Sequence, residues 1–109
     1  MIRVLIADDH PIVRHGVRAV LGATHDITLA AEAPKTSELF EQLRHSTPDI
    51  LLLDLSLRGA DGLDVLKHAR LEFPKLPVII LTMHGEDQFA IRAFRAGASG
   101  YVTKAMPAE

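Results

Sequence analysis

The sequence predicts an α/β domain built on an open, five-stranded parallel sheet in the order 2-1-3-4-5. Three observations carry that expectation. Strand-length runs such as Val4-Leu5-Ile6-Ala7, Ile50-Leu51-Leu52-Leu53 and Val78-Ile79-Ile80-Leu81 are apolar throughout, as in parallel strands buried on both faces. Segments with helical spacing separate them, which makes βαβ units. Two of the runs end in carboxylates, Asp8-Asp9 and Asp54. A shared site would need strands 1 and 3 to be neighbours, which puts the reversal of strand order between them.

Strands are expected near 2–7, 27–32, 49–54, 77–82 and 100–103. The first helix opens with Pro11 in its first turn and closes near Gly22, with Val13, Val17, Val20 and Leu21 toward the core. A second follows Thr36 or Ser37, buries Leu39, Phe40 and Leu43, and ends before Pro48. A third starts around Asp61-Gly62 and carries Leu63, Leu66, Ala69 and Phe73. The fourth, roughly 86–96, presents Ala90, Ala93 and Phe94 and stops at Gly97. Right-handed crossovers place helices two, three and four on one face and leave helix one alone on the other. A further helix is therefore expected after strand five, and the sequence ends before it, so either the chain is a fragment or a partner covers that face.

Composition sets bounds. The 109 residues suit one domain, and 48% apolar content supports a core made chiefly of branched aliphatics. Without cysteine there is no disulfide and no thiolate metal site. The start has no signal-peptide layout, and no run approaches a membrane span, so a soluble, cytoplasmic protein is expected. A net charge of −2 with dispersed basic residues argues against direct nucleic-acid binding.

The strand ends carry the chemistry. Asp8 and Asp9 follow strand 1, Asp54 ends strand 3, Thr82 ends strand 4 and Lys104 follows strand 5. Ligands of open α/β sheets bind outside those carboxyl ends. Carboxylates within a few ångströms repel one another, and a divalent cation relieves the repulsion. Mg2+ suits an all-oxygen set that keeps several waters, with Mn2+ as a substitute. Asp9 and Asp54 are the expected direct ligands, the backbone carbonyl of Ser56 a third, and Asp8 a ligand through water. With the charge neutralised, Asp54 can attack phosphorus, because aspartate is a covalent phosphoryl acceptor. Lys104 and the Thr82 hydroxyl would then hold the phosphoryl oxygens. A single aspartate at a strand end is more often a turn or capping residue. The joint pattern favours a site.

These residues resemble a known family. Asp8-Asp9-His10-Pro11 with Arg14, Gly16 and Leu21, Pro48 to Leu55 with Asp61-Gly62, Leu81-Thr82-Met83-His84, and Ala96 to Lys104 are similar to the receiver domains of two-component response regulators. The branch is the one ending in a NarL/FixJ (LuxR-type) helix-turn-helix. The resemblance spans essentially the whole chain and implies a flavodoxin-like (CheY-like) fold. It further implies a sensor histidine kinase that phosphorylates Asp54, a Tyr101 that rotates inward, a C-terminal DNA-binding domain and transcription regulation. A homodimer through the face of helix four and strand five, where Arg92 and Arg95 lie, is also expected. Ser56 and His84 would tune the lifetime of the phosphoryl group. Two positions depart from the pattern: Arg58 stands where a proline is usual, and Ala105 follows Lys104 where many members have a cis proline.

Other readings compete. A Mg2+-dependent aspartyl-phosphate hydrolase would carry an acid at the position of Ser56 and need a cap domain. A degenerate receiver would act only as an interaction module. A flavin module would need a Ser/Thr/Gly phosphate cradle after strand 1. The six histidines, His10, His15, His25, His45, His68 and His84, lack zinc-helix spacing and are expected in solvated or capping roles.

Overall fold

A computed structural model describes residues 1–54, 62–82, 92 and 94–103, and of Thr82, Tyr101 and Thr103 the backbone alone. The elements run β1 (Ile2–Ala7), α1 (Pro11–Gly22), β2 (Ile27–Ala33), α2 (Thr36–Ser46), β3 (Ile50–Asp54), α3 (Gly62–Glu72), β4 (Val78–Thr82) and β5 (Gly100–Thr103). All neighbouring strands are parallel, in the order β2-β1-β3-β4-β5. The reversal of strand order falls between β1 and β3, as the carboxylate placement predicts.

Alternation along the strands splits the apolar residues into two layers. One face gathers Leu5, Ala7, Leu51, Leu53, Val78 and Ile80 with Leu39 and Leu43 of α2 and Val65, Leu66 and Ala69 of α3. Each leucine in that layer is essentially inaccessible, and burying one contributes about 1.5–3 kcal/mol. Phe40 and Phe73 pack at its margin. Helices α2 and α3 thus share a face, as right-handed crossovers require.

The opposite face is thinner. Val4 and Ile6 are buried, but no residue of α1 is, and Val102 at the far strand is 41% exposed. Val20, expected on the core side, is 65% exposed. The cause lies in how α1 is tied down. Arg18 donates to Glu32 on β2 at 2.6 Å, and the Arg14 Nε lies 3.4 Å from the same carboxylate. These ties draw the helix toward β2, so Val13, Val17, Leu21 and Arg14 form its inner arc and Val20 falls at the edge.

Phe94 also departs from expectation. It is 51% exposed, while Ala96 packs on the core. Two residues apart on a helical turn are nearly opposite in direction, so only one of the pair can face inward. The segment closes at Gly97, whose φ of 109° only glycine adopts readily. The rest of the fourth predicted helix, with Ala90 and Ala93, lies outside the described residues.

Candidate functional site

Strand register brings the carboxylates together. Ala7 pairs with Leu53 and Asp54 with Leu81, so Asp8 leaves β1 level with Asp54 at the end of β3. The Asp8 backbone N–H continues the pairing with β2 by donating to the Ala33 carbonyl at 3.1 Å. Arg14, one turn into α1, donates to the Asp8 carbonyl at 2.8 Å. These backbone bonds fix where the first acid stands.

The resulting cluster holds one oxygen each from Asp8, Asp9 and Asp54 and a ring nitrogen of His10, all within 4.8 Å of one another. Asp8 and Asp54 are buried at 0% and 1% exposure, whereas Asp9 keeps 15% at the rim. Burying two carboxylates side by side costs free energy unless something positive or hydrogen-donating faces them. Part of that compensation is visible. The His10 backbone N–H donates to Asp8 Oδ1 at 2.8 Å, and His10 Nδ1 lies 2.9 Å from the same oxygen, 3.2 Å from Asp9 Oδ1 and 3.5 Å from Asp54 Oδ2.

The donor set fits a hard divalent cation. Three convergent carboxylate oxygens at a strand edge match what Mg2+ accepts from protein, leaving room for waters and phosphate oxygens. Such a cation would be held by Asp8, Asp9 and Asp54.

Sequence reasoning identified all three acids and missed His10, placing it with the other histidines in solvated or capping roles. It does occupy the N-cap position of α1, but its side chain makes no capping bond. The available signal was position, since a residue directly after Asp8-Asp9 leaves the same strand end. His68 behaves as expected of a surface histidine, 3.4 Å from Glu72 and with its ring centroid 4.4 Å from that of Phe40 at a 45° tilt. Ser56, Arg58, His84, Lys104 and Ala105 lie outside the described residues, as do the side chains of Thr82 and Tyr101.

Comparison with known proteins decides the family. A model of the response regulator receiver domain matches residues 4–109. The chain belongs to the response regulator receiver family. It is 35% identical over 104 residues to the response regulator GacA of Pseudomonas viridiflava, covering 95% of this chain and 49% of that one. Among solved structures, a LuxR-family two-component response regulator from Aurantimonas sp. SI85-9A1 superposes with a TM-score of 0.87 at 42% identity. That match covers 94% of this chain and 74% of the other. RcsB of Salmonella enterica serovar Typhimurium, bound to the promoter rprA with the phosphomimetic BeF3-, gives 0.91 at 30% identity, covering 98% and 89%. The chain spans about half the length of the curated relatives it matches.

The relatives include response regulators, one of them of the LuxR family, and this chain is a receiver domain of that regulatory family. Among the described residues, no helix is long and apolar enough to cross a membrane.

Proposed function

We propose that this domain is a phosphorylation switch whose acceptor is Asp54. The observation that carries the reading is the Asp54 carboxylate, buried at the end of a central strand and joined there to Asp8 and Asp9 in one cluster. An Asp54 oxygen attacks the phosphorus of a phosphohistidine on a sensor histidine kinase. The new O–P bond forms as the N–P bond breaks, and the imidazole leaves. Asp8, Asp9 and Asp54, with the Ser56 carbonyl, hold Mg2+ or Mn2+. Bound there, the cation offsets the negative charge of the carboxylates and of the incoming phosphoryl group.

The protein's own groups do the rest. The walls around Asp54 exclude competing nucleophiles. Thr82 and Lys104, at the ends of the next two strands, receive the phosphoryl oxygens by hydrogen bond and charge. Tyr101 then turns inward and repacks the surface of β5, a two-state element biased by the new charge. Ser56 and His84 set how long the modification lasts. Residues 1–109 form one receiver domain. It works in the cytoplasm, controls a C-terminal helix-turn-helix that binds DNA, and pairs with a second copy through the face that includes β5.

Beryllofluoride with Mg2+ tests the reading. Saturation should shift amide resonances at Asp8, Asp54 and Tyr101 together, and Asp54→Asn should abolish the response. A Tyr101 environment indifferent to the phosphomimetic would contradict the switch. Hydrolysis of a generic phosphoester by the purified domain would instead favour the hydrolase.

A further inference from the structure

We propose that His10 is a built-in competitor of the divalent cation, its Nδ1–H donating to Asp8 and its ring nitrogen standing close to the other two carboxylates that would hold the metal. The inference rests on the metal reading above and adds to it a residue that sets affinity.

The geometry is specific. Asp8 Oδ1 already accepts the His10 backbone N–H at 2.8 Å, and the Nδ1 of the same residue lies 2.9 Å from that oxygen. A carboxylate oxygen so engaged accepts, so Nδ1 carries the hydrogen. From there it faces Asp9 Oδ1 at 3.2 Å and Asp54 Oδ2 at 3.5 Å. One ring nitrogen is therefore hydrogen-bonded to Asp8 and within 3.5 Å of an oxygen of each of the other two proposed carboxylate ligands. A cation seated among those oxygens would meet the Nδ1–H at close range, so the two compete for the same space.

The ring is also placed to leave. It is 51% exposed beside two carboxylates that are 0% and 1% exposed, so it lies on the solvent side of them. Its side chain makes no capping bond at the start of α1. When the ring swings outward, the backbone N–H stays on Asp8 and keeps the loop in register. The ring thus lowers cation affinity by the strength of its hydrogen bond to Asp8 and by the space it takes among the carboxylates. Nδ1 could act as a fourth ligand only after giving up the hydrogen it donates.

Calorimetric titration of Mg2+, and separately of Mn2+, into the wild-type domain, His10→Ala and His10→Gln distinguishes these roles. A half-exposed donor to charged acceptors lies at the weak end for such bonds, so His10→Ala should bind both ions on the order of tenfold more tightly. His10→Gln, which keeps an N–H donor, should fall between. In wild type the His10 ring nitrogen resonances should move with the same midpoint as Mg2+ binding. Equal or weaker binding by His10→Ala would overturn the inference, and a greater loss for Mn2+ than for Mg2+ would make the ring a ligand. If neither wild type nor His10→Ala binds Mg2+, the metal reading itself fails, and the inference with it.

Discussion

Neutralising Asp54 should make the domain more stable while removing its function. Asp54→Asn keeps the size of a side chain that is 1% exposed and removes one charge from a cluster whose oxygens lie within 4.8 Å of one another. At that separation each like-charge pair repels by about 1 kcal/mol in a water-like medium and about 3 kcal/mol at an effective dielectric of 20. Asp54 has two such neighbours, Asp8 and Asp9. The contact with His10, at 3.5 Å the longest of the three, offsets part of the repulsion. The expected net gain is about 1–3 kcal/mol, or roughly 4–12 °C in melting temperature for a domain of this size. Urea denaturation followed by circular dichroism in EDTA measures it. Mg2+ should close the gap, because it binds the folded wild type and stabilises it by mass action, and should leave the variant unchanged. An Asp54→Asn variant less stable than wild type in EDTA, at unchanged denaturant slope, would refute the reasoning.

Further outcomes follow from the packing. Leu53→Ala, at a fully buried position between β3 and the helices, should cost about 2–5 kcal/mol in the same assay. Gly97→Ala should cost about 1–3 kcal/mol. Its Cβ would come within 2.7 Å of Arg70 Cγ at a φ of 109°, and Arg70 is held by its bond to the Leu76 carbonyl. The Arg44 guanidinium, donating at 2.6 and 2.8 Å, holds the Glu72 carboxyl below its ordinary pKa. A carboxyl so lowered lends stability that is complete above its unfolded value and lost as pH falls through the folded one. The urea midpoint should therefore drop slightly on acidification below the ordinary glutamate range, and less in Glu72→Gln. Thr47, at φ 43° in the left-handed region after α2, should gain up to about 1 kcal/mol on Thr47→Asn, as asparagine tolerates that region better than a β-branched residue.

Much of this was legible in the sequence because parallel strands buried on both faces announce themselves as unbroken apolar runs. Their carboxyl ends must share an edge, so Asp8, Asp9 and Asp54 could be assigned to one cluster before any coordinates. Val20 and Phe94 could not be read the same way. Helical spacing marks an apolar arc but not which part of it faces inward. For α1 that choice falls to Arg14 and Arg18 reaching Glu32, a pairing between separate elements. His10 escaped for a similar reason. Its meaning depends on a ring rotamer that brings Nδ1 to carboxylates from two strands, and no spacing rule encodes that.

The central claim is that Asp54 accepts phosphoryl groups in a cation-dependent manner. Intact-mass measurement after incubation with acetyl phosphate and Mg2+, on wild type and Asp54→Asn, tests it most directly. The account predicts a single hydroxylamine-labile phosphoryl adduct on wild type, absent from Asp54→Asn and absent when the cation is chelated. An adduct that survives in Asp54→Asn, or a folded, Mg2+-binding wild type that never acquires one, would contradict it.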